Sequence, residues 1–171
     1  MGPSISSIGC CRKSQAMIAD ETAVEVRRRF RVAPEKVFAA FAEARWVGRW
    51  LSPSPDITLS LLQFDFREGG AYRFAYHVPG GQIMTVRGAY RSIEPPSKIV
   101  FSWDIEPPDE HAGLESEVTV TITADGEFTE LLIRHEKLTR PGAGVRHAEG
   151  WRGALDQLAA LLEPSGRARV G

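Results

Sequence analysis

The sequence predicts an α+β fold in which a curved antiparallel sheet of seven strands grips one long C-terminal helix. Three observations predict it. From His147 onward, His147, Trp151, Leu155, Leu158 and Leu162 recur with the period of a helix that has one apolar face, and Ala154 and Leu161 fill the same stripe. Almost everything between residues 56 and 136 alternates as strands do. The connectors are short, and parallel neighbours would need a crossover of roughly a dozen residues or more, so the strands pair antiparallel. A lone amphipathic helix after such a run has only the sheet on which to bury its stripe. A pocket is expected between the two.

Each element follows from local chemistry. Val24, Val26, Phe30 and Val32 alternate with Glu25, Arg27, Arg29 and Arg31 to give the first strand, whose apolar side Arg28 interrupts. Pro34 suits the first turn of a helix, and Val37, Phe38, Phe41 and Ala42 line one side of it. A shorter helical turn runs from Arg45 to Trp50, before Pro53 and Pro55 break it. Six strands are then expected, at 57–66, 71–78, 83–93, 98–105, 117–124 and 128–137. Glu68-Gly69-Gly70, Pro79-Gly80-Gly81, Glu94-Pro95-Pro96 and Asp125-Gly126-Glu127 supply turn chemistry between them. The acidic link from Glu106 to Ser116 is expected to form a flexible rim loop. Pro164 and Gly166 stop the last helix. Residues 1–20 read as a disordered leader, 21–163 as one domain and 164–171 as a flexible tail. Met1-Gly2 with Ser6 loosely matches an N-myristoylation signal, against which Pro3 argues.

Bulk properties exclude several classes. The 171 residues are 43% hydrophobic and 25% charged, an ordinary globular balance with enough chain for a substantial core. A formal charge of −1 gives no reason to expect a nucleic acid or an anionic membrane as partner. Arg27 to Arg31 reads as the solvated face of a strand. No apolar run approaches the ~20 residues of a membrane span. Cys10 and Cys11 are neighbours and build neither a disulfide framework nor a metal knuckle, which points to a reducing, cytoplasmic setting.

Several short words carry a family resemblance. They are Val32 to Phe38, Trp46 to Trp50, Asp65-x-Arg67-x-Gly69-Gly70, Gly88-x-Tyr90 with Ile93 to Pro96, Ile99 to Trp103, Thr129-x-Leu131-x-Ile133-x-His135, and Gly150-Trp151. In this order they resemble the helix-grip superfamily of START domains and polyketide cyclases (SRPBCC, Bet v 1-like). Within it, the chain is most similar to the activator of Hsp90 ATPase homologue 1-like family. The resemblance implies a seven-stranded antiparallel sheet around a C-terminal helix, with a hydrophobic cavity between them. It implies no particular reaction, because members bind lipids, sterols, hormones and polyketides and only some are catalysts.

The expected cavity is lined by large residues of one strand parity together with the helix. From the strands come Phe64, Phe66, Tyr72, Phe74, Tyr90, Phe101, Trp103 and His135, with Leu62 placed on the same face as Phe64 and Phe66. From the helix come His147 and Trp151, and Trp46 and Trp50 are placed at the lip. The plainer alternative is that these aromatics are ordinary core. Gly150 and Gly153 each cost about 1 kcal/mol relative to Ala inside a helix, which suggests a need for room, either for close packing or for a ligand. No catalytic set, metal site or cofactor motif emerges, since the four histidines lack ligand spacing.

The first functional expectation is therefore binding of a small hydrophobic or amphipathic molecule. The second is a cyclase- or hydrolase-type enzyme with His135 or a cavity tyrosine as acid/base. Third comes stimulation of an Hsp90-type ATPase. The co-chaperones the family is named for carry a separate N-terminal domain, and only residues 1–20 precede the fold here. A sheet edge or the acidic loop is the expected seam of any homodimer.

Overall fold

The structure, a computed structural model, describes residues 22–163. The expected leader, the lipidation match and the tail lie outside these residues. In order the elements are β1 (Val24–Phe30), α1 (Pro34–Ala42), α2 (Ala44–Trp50), β2 (Thr58–Phe64), β3 (Ala71–His77), β4 (Ile83–Glu94), β5 (Lys98–Ile105), β6 (Ser116–Asp125), β7 (Phe128–Glu136) and α3 (Ala143–Leu162). All seven strands form one antiparallel sheet of order β1-β7-β6-β5-β4-β3-β2. The chain thus has the α+β helix-grip architecture that its pattern predicts.

The inward face of β1 buries Val24, Val26 and Phe30. Arg28 interrupts that face for a reason the pattern did not show: its guanidinium reaches Asp156 on α3 at 2.6 Å. Pro34 opens α1, which buries Val37, Ala40 and Phe41. The fully buried Trp50 of α2 donates its indole N–H to the Ala40 carbonyl at 2.9 Å and ties the two short helices together. α3 starts one turn before His147, after Gly142 in the left-handed region (φ +83°). Ala154, Leu155, Leu158 and Leu162 on α3 belong to the main core, together with Phe30, Val37 and Leu131. A smaller cluster of Val24, Leu138, Ala143 and Ala148 anchors the other end of the helix.

Two expectations need correction. Leu62 does not share the inward face with Phe64, because the β2–β3 register shifts between Leu61 and Gln63. Such a bulge inserts one residue and reverses side-chain parity. Leu59 and Leu61 therefore pack on the core while Leu62 is 52% exposed. The acidic loop is also not a free rim. Arg146 holds Asp109 through two 2.7 Å bonds, Arg140 donates to the Glu110 and Ala112 carbonyls, and His111 is buried.

Candidate functional site

A cavity of about 440 Å3 opens between the N-terminal half of α3 and the sheet. Leu51, Pro53 and Ile57 after α2 form one wall, and Tyr76, Met84 and Trp103 line the sheet side. His147, Trp151 and Ala154 close it from α3, while Arg146 and the exposed Glu149 also line it. The volume falls within the range of about 300–1,000 Å3 usual for small-molecule sites, and the apolar lining matches their usual composition.

The two helix glycines serve different purposes. A Cβ on Gly153 would collide with the Pro53 carbonyl, so this glycine lets the loop after α2 lie directly on α3. A Cβ on Gly150 would meet only Pro53 Cβ, at 3.8 Å, and Gly150 itself lines the cavity. The first is a packing glycine. The second leaves space.

Behind the cavity wall runs a closed chain of hydrogen bonds. The Trp151 indole N–H donates to His135 Nδ1 at 3.0 Å, which makes Nε2 the protonated nitrogen of the neutral ring. Nε2–H then donates to Ser116 Oγ at 2.7 Å, and the serine hydroxyl donates to the Trp103 carbonyl at 3.0 Å. Burial, and secondarily the nearby His147, push the His135 pKa well below the ordinary histidine value. His135 has no lone pair left to take a proton, so the geometry does not suit it to act as a general base.

His147 is different. Its ring lies 4.7 Å from that of His135, centroid to centroid, and its Nδ1 sits 2.8 Å from the Ala143 carbonyl. A carbonyl only accepts, so Nδ1 carries the proton and Nε2 the lone pair. Burial, with Arg146 and His111 adding to it, pushes its pKa down to about 4 against the opposing Ala143 bond. At neutral pH the ring is uncharged. Among the described residues neither His147 Nε2 nor the Tyr76 hydroxyl has a hydrogen-bond partner. The Trp103 indole N–H is buried with no partner either, and its ring lies 6.3 Å from that of His147. A buried donor left unpaired costs about 1–3 kcal/mol.

The twelve residues expected at the cavity separate into three groups. Trp103, His147 and Trp151 line it, and His135 supports them from behind. Phe64, Phe66, Tyr72, Phe74, Tyr90 and Phe101 line no part of it. They pack into an aromatic core, with rings 4.7 Å apart for Tyr72 and Phe74 and 4.9 Å for Phe66 and Tyr90. The void left around them, about 20 Å3, has room for about one water and for no larger ligand. Tyr72 fits this role because its hydroxyl bonds the Ser102 carbonyl at 2.6 Å across Gly88, where a Cβ would strike the ring. Trp46 and Trp50 leave the lip to the loop that follows them. Trp50 is in the core, and Trp46 is half-buried beneath the Arg45 and Arg49 guanidiniums.

The residues missed are chiefly Leu51, Pro53 and Ile57 in the Pro-broken loop, together with Met84 and Arg146. Met84 was findable, since it shares strand parity with Val86 and Tyr90. The loop residues carry no periodic signal. Among the described residues, no three His, Cys, Asp or Glu side chains converge as a metal site would require, and no helix is long and apolar enough to cross a membrane.

The family model described as activator of Hsp90 ATPase homolog 1-like protein matches residues 31–163. The chain belongs to this family. Solved structures of the same fold include a protein of Chromobacterium violaceum, 26% identical, with a TM-score of 0.73 over 85% of this chain and 99% of that one. The AHSA1 protein of Silicibacter pomeroyi is 27% identical, with a TM-score of 0.75 over 84% and 99%. CalU16 from Micromonospora echinospora is 25% identical, with a TM-score of 0.61 over 85% and 79%. No curated protein matches the sequence.

Proposed function

We propose that this AHSA1-like protein binds a small amphipathic molecule in the cavity beneath the first half of α3. The observation that carries this reading is the juxtaposition of about 440 Å3 of apolar-walled space with unpaired polar atoms on His147 and Tyr76. A core that only had to be stable would close such a space, because interiors pack to crystal-like density and voids are destabilising. The polar atoms give a ligand its orientation and the apolar wall gives it affinity.

Titration with the uncharged fluorescent dye 1-anilinonaphthalene tests the reading, with native mass spectrometry of protein purified from its own cells as a complement. Saturable dye binding is expected. Gly150→Leu, which projects a side chain into the space, weakens it at least tenfold without lowering Tm. Unsaturable binding, or binding indifferent to Gly150→Leu, would contradict the proposal.

A further inference from the structure

Resting on that binding reading, we infer that the ligand's inner end is a neutral hydroxyl that donates a hydrogen bond to His147 Nε2. The direction of this bond follows from the helix. The Ala143 carbonyl, 2.8 Å from Nδ1, accepts only, so the ring proton is committed there and Nε2 can only accept. A carboxylate or ketone oxygen placed against Nε2 would set one lone pair against another. The other accessible unpaired group of the site, the Tyr76 hydroxyl, has a proton to give. A hydroxyl answers both demands, since it donates once and accepts twice.

Charge points the same way. Arg146 is the cation of the cavity wall, and its guanidinium is already committed. Two 2.7 Å bonds bind it to Asp109, a third of 2.7 Å reaches His111 Nδ1, and one of 3.2 Å reaches the Met84 sulfur. Glu149 lines the same space and repels an anion. An anionic headgroup therefore finds no unneutralised partner here, and burying it would carry its full desolvation cost.

Three probes of nearly equal size separate the possibilities at pH 7: 2-naphthol, 2-methoxynaphthalene and 2-naphthoate, each titrated calorimetrically. On the wild-type protein 2-naphthol is expected to bind about tenfold more tightly than either of the others, the effect of one net hydrogen bond to a buried acceptor. His147→Phe, which keeps the ring and removes the lone pair, brings 2-naphthol and 2-methoxynaphthalene to equal affinity. The wild-type comparison needs no variant, so the test stands even if His147→Phe folds poorly. Saturable binding with no preference for 2-naphthol, or a preference that survives His147→Phe, would overturn the hydroxyl assignment and leave the cavity reading intact. Absence of saturable binding by all three probes and by the anilinonaphthalene dye would overturn both.

Discussion

Three residues apart on α3, Gly150 and Gly153 predict opposite mutational outcomes. Gly150→Ala adds a methyl at ordinary contact distance from Pro53 and removes a flexible residue from a helix interior, so stability rises by about 0.5–1 kcal/mol. Gly153→Ala drives its methyl into the Pro53 carbonyl, and the backbone must move. Denaturant unfolding of the pair should show the first midpoint raised and the second lowered. At His147 the prediction concerns pH. The folded pKa, near 4, lies below the unfolded value near 6.5, so the unfolded chain binds the proton first as pH falls. Stability from this group is complete above about pH 6.5 and is lost toward pH 4, in total about 3 kcal/mol. Asp109, whose pKa is lowered to about 2 mainly by Arg146, contributes stability that is lost only as pH falls from about 4 to 2. Between pH 7 and pH 5 the wild-type protein should lose about 2 kcal/mol more than His147→Phe. Equal losses would show that the imidazole is not held neutral.

At the scale of elements, the sequence was most legible where a period could run unbroken. The β5 span and the C-terminal end of α3 were placed to the residue, because Ile99-Phe101-Trp103 and Leu155-Leu158-Leu162 keep strict parity and strict helical phase. β2 failed at one residue. A bulge leaves no mark in a short run of leucines, and Leu59, Leu61 and Leu62 look equally buried until the pairing partner is known. Leu62→Gln should therefore change stability by no more than about 0.5 kcal/mol. Leu155→Ala, which empties a site only 1% exposed, should cost about 2–5 kcal/mol. The packing of the acidic loop is hidden in the sequence for a related reason. Its composition says solvent, but Asp109 and His111 find Arg146 only once α3 is folded beside them.

On the scale of the whole molecule, parity separated inside from outside but did not separate core from cavity. All the inward aromatics look alike in sequence. Six of them close on one another, leaving about 20 Å3, whereas Trp103 and Trp151 border about 440 Å3. That difference depends on where the loop after α2 comes to rest, which is set by Gly153 and Pro53 rather than by any periodic pattern. The four tryptophans of the chain report on both regions at once. One two-dimensional 15N–1H spectrum of their indole N–H groups, recorded while 2-naphthol is titrated in, tests the cavity directly. The Trp103 and Trp151 signals should move and saturate together, while those of Trp46 on the surface and Trp50 on the Ala40 carbonyl stay in place. Saturating shifts confined to Trp46 and Trp50, with Trp103 and Trp151 unmoved, would contradict the cavity as the binding site.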